Sequence, residues 1–140
     1  MRKVFKVSAF LLSAMTSSAG PAFAAISYDG SWNVVVICPD SGDVQGYTWR
    51  FPAQVRAGEF SGKFVNPRDP QNYGVLSGAI SSTGDALLTM NGIAGPPVYN
   101  IHHAPKHSNI HYTATVHFDA RNGSGNRNGE KVCSLTFSKN

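Results

Sequence analysis

The sequence predicts an all-β domain, a single antiparallel up-and-down β-barrel of about eight strands, with a two-layer β-sandwich as the alternative. Three observations predict it. Beyond residue 24 the apolar residues alternate with period two, and helical period is absent. Clusters of Gly, Pro, Asn and Asp cut that alternation into short runs. The only two cysteines, Cys38 and Cys133, stand near opposite ends of the domain, so a bond between them ties its first and last strands together.

Residues 1–24 read as a secretory signal peptide. Arg2, Lys3 and Lys6 form a basic head, residues 7–15 an apolar middle too short to span a bilayer, and Ala22-Phe23-Ala24 a small-residue cleavage site. The mature domain is then 25–140, one domain with no internal repeat or low-complexity tract. No cysteine stands at the cleavage site to take a lipid, and no later run reaches the roughly 18 apolar residues of a membrane helix. The expected location is periplasmic or secreted, where Cys38 and Cys133 form a disulfide rather than a redox centre.

Along the domain, the first strand runs from Trp32 through Val34 and Val36 to Cys38. Residues 47–57 alternate Tyr47, Trp49, Phe51, Ala53, Val55 with Thr48, Arg50, Pro52, Gln54, Arg56, a strand with one buried and one wet face. A turn at residues 57–59 leads into Phe60, Gly62 and Phe64, and residues 66–72 read as a loop rich in Pro and Asn. Leu76, Gly78 and Ile80 turn through residues 81–85 into Ala86, Leu88 and Met90. Residues 98–103 and 110–118 form a further pair, with Tyr112, Ala114, Val116 and Phe118 inward. Residues 121–129 read as a Gly/Asn loop, and residues 131–139 as the last strand.

The disulfide supplies a register that can be tested. With Cys38 opposite Cys133 on antiparallel neighbours, Val36 meets Leu135, Val34 meets Phe137 and Trp32 meets Lys139. A slip of one residue brings Ser134, Thr136 and Ser138 against the same apolar side chains, so the first register is the self-consistent one.

At this point the residues resemble a known pattern. Gly30-Ser31-Trp32 on the first strand, with basic Lys139 on the last, resembles the lipocalin and avidin-like barrels. The resemblance implies that Trp32 plugs one barrel end and Lys139 packs over it; it carries over no ligand. The segment Tyr28-Asp29-Gly30-Ser31-Trp32 and the C-x-x-x-F strand at Cys133 are also similar to small uncharacterised exported bacterial β-barrel proteins, which implies compartment and fold but no activity.

Composition excludes one class of partner. The chain carries 12 Lys and Arg against 8 Asp and Glu, a formal +4. Three of those cations belong to the leader, which leaves the domain nine against eight, or +1, with the cations scattered. A nucleic-acid binder needs a dense basic face, and an anionic membrane surface asks for the same; neither is expected, and no membrane anchor is.

Four places invite chemistry. All five histidines lie between residues 102 and 117; pairing His102 with His111 across the expected hairpin, with His107 in the turn, sets their Cβ atoms about 5 Å apart, which lets the imidazoles reach one Zn, Cu or Ni ion. The aromatic set Trp32, Tyr47, Trp49, Phe51, Phe60, Phe64 and Tyr112 lines a ligand pocket if the barrel is hollow, and inward Gly62 and Gly78 favour space inside. The loop with Arg121, Ser124 and Arg127 offers amides and cations to an anion or a partner. No catalytic residues are expected, because the eight carboxylates fall mostly in turns and no nucleophile elbow is present. The expected function is therefore binding, without a resident cofactor, of a small apolar molecule in the barrel or of an envelope protein through the loops. The alternatives are a histidine-rich metal-binding protein and an inhibitor-like or structural envelope protein.

Overall fold

A computed structural model describes residues 26–140 together with Met15, so the expected signal lies, Met15 apart, outside the described residues. Eight strands form a closed barrel: β1 (Gly30–Cys38), β2 (Tyr47–Arg56), β3 (Glu59–Asn66), β4 (Asp69–Ala79), β5 (Asp85–Ile93), β6 (Asn109–Phe118), β7 (Asn122–Arg127) and β8 (Ser134–Lys139). Each pairs antiparallel with the next, and β8 returns to β1. Closure leaves no strand edge free, so the sandwich alternative falls away.

The seam has the register derived from alternation. Trp32 pairs Lys139, Val34 pairs Phe137 and Val36 pairs Leu135, and the Cys38–Cys133 disulfide closes its end with the Cα atoms 4.2 Å apart. Period two then sorts every strand into an inner and an outer row, and the inner row makes one continuous core from Trp32 to Phe137.

One end of the barrel is sealed by the segment that opens the domain. Trp32 is fully buried, meets Phe118 edge-on at 5.4 Å, and donates its indole N–H to the Tyr28 carbonyl at 2.8 Å. Truncating such a side chain to alanine costs about 3–5 kcal/mol. Asp29 reaches across the same end and accepts the Ala57 and Gly58 amides at 2.9 and 3.1 Å, which hold the β2–β3 turn in its left-handed conformation. Those two amides also keep its carboxyl below the ordinary carboxylate range, Gly58 contributing most. Lys139 lies over Gly30, where a Cβ would meet its Cε at 3.0 Å. We call this end the floor.

Four expectations are corrected. Residues 98–103 are not a strand: Pro96 and Pro97 withhold amides, and the segment coils into two 3-10 turns, Pro97–Tyr99 and Ile101–His103. The partner of β6 is β5, which runs on through Gly92 because only glycine fits there; a Cβ would stand 2.1 Å from the Tyr73 carbonyl oxygen. Residues 121–129 are not a loop, since Asn122–Arg127 is β7, whose inward Gly123 and Gly125 leave room for Phe118 and Val116. Residues 66–72 shrink to a tight turn, with Asn66 paired to Asp69. The last strand starts at Ser134 rather than at residue 131.

Candidate functional site

The barrel end opposite the floor is the mouth. It is reached by the start of β2 with Tyr47 and Trp49, the end of β3 with Phe64 and Asn66, the start of β6 with Ile110 and Tyr112, and the end of β7 with Arg127. Between β5 and β6 the chain leaves the barrel and crosses over this opening as a strap, residues 94–108. Its neck is closed by two backbone bonds, Ala94 N–H to the Ser108 carbonyl at 2.8 Å and His107 N–H to the Ala94 carbonyl at 3.0 Å.

Besides an outer cleft of about 480 Å³ lined by Ser41, Asp43, Ile101, His103, Glu130 and Lys131, two cavities reach under the strap into the mouth. The first, about 230 Å³, is lined by Tyr47, Trp49, Phe64, Tyr99, Ile110 and the amides of Asn66, Asn72 and Asn100. Trp49 and Phe64 stack in it at 4.2 Å and 14°. That overlap depends on Gly74, where a Cβ would press on Trp49 at 2.8 Å and Met90 Sδ at 2.7 Å. The second, about 260 Å³, shares Tyr47, Tyr99, Asn100 and Ile110 with the first and adds Arg127, Lys131, His102 and His111. An apolar wall with a few convergent polar groups is how a small-molecule site is built.

One cation of the second cavity is buried and the other half-buried. Lys131 is only 5% exposed; its ammonium donates to the Tyr99 carbonyl at 2.6 Å and sits 4.5 Å above the Tyr47 ring. Burial, and then the Arg127 charge, pull its pKa down. The Arg127 guanidinium lies 4.0 Å over the Tyr112 ring. Burial raises the Tyr47 and Tyr112 phenols, so both rings stay neutral faces for the cations.

The strap is held from outside by its histidines. His103 stands between two acceptors, Asp43 at 2.8 Å and the Pro97 carbonyl at 3.3 Å. Both ring nitrogens must donate there, and the His103 pKa is raised, Asp43 contributing most. His107 meets Asp69 at 2.9 Å, and His102 meets Glu130 at 3.1 Å. Elsewhere, His117 pairs with Asp85 at 2.9 Å on the outer face of β5 and β6.

These contacts place the expected sites. The register opposes His111 to Asn91, 2.7 Å away, not to His102, so the cross-strand pairing behind the metal reading is absent. His102, His107 and His111 each turn to a different partner, and among the described residues no group of three or more His, Cys, Asp or Glu is placed to hold a metal ion. The aromatic set divides. Tyr47 and Phe64 line the mouth, Trp49 lines it from the edge of the core, Tyr112 is a core residue under Arg127, and Trp32, Phe51 and Phe60 lie in the core away from the opening. Gly62 and Gly78 open no space, being filled by Phe51 and Leu88.

The Arg121, Ser124 and Arg127 set also separates. Arg121 is exposed beyond the floor end of β7, Ser124 faces outward opposite His117, and Arg127 faces into the mouth. Sequence reasoning missed Lys131 and the direction of Arg127. The signal was there: stepping back by twos from Phe137 through Leu135 and Cys133 lands on Lys131, and Gly123 and Gly125 step by two to Arg127.

No protein-family model, curated protein or solved structure matches the chain.

Proposed function

We propose that the protein is an exported binding protein that takes a small, mainly apolar molecule in the mouth of the barrel. The observation that carries this reading is the contrast between the two ends. The floor is filled by Trp32, Phe60, Phe118 and Phe137, while the mouth leaves Trp49 and Phe64 stacked along an opening under the strap. Trp49 keeps 9% of its surface exposed and Phe64 is only half-buried, whereas Trp32, Phe60, Phe118 and Phe137 in the floor are exposed by 3% or less. The disulfide fits an oxidising compartment outside the cytoplasm, and no helix among the described residues is long and apolar enough to cross a membrane.

The test is a titration with N-phenyl-1-naphthylamine, an uncharged dye that brightens in apolar surroundings. The expected result is saturable enhancement with one dye per chain, weakened at least roughly tenfold by Trp49→Ala, which removes the ring stacked on Phe64 in the cavity wall. Absence of saturable enhancement with the folded wild-type chain overturns the reading.

A further inference from the structure

The two cations of the mouth have chemistry that an apolar ligand leaves unused. Among the described residues neither Arg127 nor Lys131 forms an ion pair with a carboxylate. The acidic groups around the mouth are engaged elsewhere: Asp43 with His103, Asp69 with His107 and Lys106, Glu130 with His102, and Asp40 with the Gly46 amide. The Arg127 Nε is buried and has no hydrogen-bond partner in the protein. Of the three protons on Lys131 Nζ, one is accounted for by Tyr99.

Cation–π contact returns only part of what burying such charges costs, and the remainder calls for an anion or for solvent. The cavity beside them is continuous in its lining with the Trp49–Phe64 cavity through Tyr47, Tyr99, Asn100 and Ile110. A ligand lying across that shared wall places one end on aromatic rings and the other against two positive charges.

We propose that the mouth selects an amphiphilic anion: an aromatic or otherwise apolar body in the Trp49–Phe64 cavity and one carboxylate- or sulfonate-sized head held by Arg127 and Lys131. This rests on the binding reading above and narrows its ligand class. Arg127 supplies a planar pair of donors suited to a two-oxygen head, and Lys131 adds a point charge on its other side. The tyrosine rings beneath the cations fix their positions before the ligand arrives, so little ordering remains to oppose binding.

Two dyes that differ by one anionic group separate the claims. 1-Anilinonaphthalene-8-sulfonate is N-phenyl-1-naphthylamine with a sulfonate added. The wild-type chain is expected to bind the sulfonate at least roughly tenfold more tightly, since a charge-assisted hydrogen bond is worth about that much or more. Arg127→Gln is expected to erase the preference, read as the ratio of the two dyes' affinities for the same variant, and Arg127→Lys to keep part of it. Raising the salt concentration is expected to narrow the wild-type gap, a readout that needs no variant.

If the neutral dye binds and the sulfonate gains nothing, the anion site is refuted and the binding reading stands. A preference that survives Arg127→Gln and Lys131→Gln, with both variants folded by near-ultraviolet circular dichroism, refutes it too. If neither dye binds, both proposals fall together.

Discussion

Removing the disulfide tests the seam that closes the barrel. Cys38 and Cys133 are 95 residues apart in sequence. By the chain-entropy relation, a loop of that length limits the unfolded ensemble by about 4.7 kcal/mol. For the domain in residues 26–140, an unfolding entropy of about 2 cal/mol/K per residue converts this into a fall in Tm of roughly 20 °C. The native barrel itself should survive at low temperature, because β1 and β8 keep their ladder from Trp32 to Ile37 and the Asn140 amide still donates to the Ser31 carbonyl at 2.9 Å. Scanning calorimetry of the oxidised chain against Cys38→Ala/Cys133→Ala measures the shift, and hydrogen exchange locates it. The mouth end of the seam should open before the Trp32 end, since Lys131 stands two residues from the lost bond. A Tm change below about 5 °C would refute the reasoning, showing that the unbridged unfolded chain is already as restricted as the bridged one.

Three further outcomes are expected. The histidine pairs set a pH window. Asp43 raises His103 and Asp85 raises His117 above the ordinary 6.5, which gives stability present below that pH and lost as pH rises through the raised values. Their partners Asp43 and Asp85, like Asp69 beside His107, lie below the ordinary 3.8, so that contribution is present above 3.8 and lost as pH falls through the lowered values. Tm should therefore be highest between about pH 4 and 6.5, and His103→Asn with His117→Asn should flatten the alkaline fall; a wild-type Tm that rises from about pH 6 to 8 contradicts this. Gly125→Val should lower stability by about 1–3 kcal/mol or more in urea titration, because even a Cβ there stands 2.1 Å from the Thr115 carbonyl oxygen. Ala57→Asn should raise Tm by a few degrees, about 1 kcal/mol, since Ala57 sits at φ 49° in a turn that favours Asn-Gly.

How much of this was legible depends on where alternation carried the information. The seam was legible in full: Trp32, Val34, Val36 and Cys38 match Lys139, Phe137, Leu135 and Cys133 only in one register, and the observed pairs are those. The strand count came out at eight, but through two errors of opposite sign, the lost strand at residues 98–103 and the hidden strand β7. β7 was hidden because its inward positions are glycines, whose lack of side chain is set by Phe118 and Val116 on the neighbouring strand and leaves no apolar mark in Asn122–Arg127 itself. The hairpin expected to pair His102 with His111 was not legible as a strap, where His102, His103 and His107 take left-handed φ values of 54°, 50° and 64° and each ring meets a separate carboxylate. A strap that leaves the sheet follows no period, so its contacts with Asp43, Asp69 and Glu130 are written only in three dimensions. The aromatic pocket was half legible. Period two identified its residues as inward, and only their height in the barrel separates the floor from the mouth.

That separation gives the account its most direct test, because the only two tryptophans stand at opposite ends of the barrel: Trp32 in the floor and Trp49 in the mouth. Their indole N–H groups give two resolvable signals in a nitrogen–proton correlation spectrum. On titration with N-phenyl-1-naphthylamine the account predicts that the Trp49 signal moves progressively to saturation, while the Trp32 signal, fixed by its bond to the Tyr28 carbonyl, stays where it is. A spectrum in which neither signal moves, or in which Trp32 moves and Trp49 does not, contradicts it.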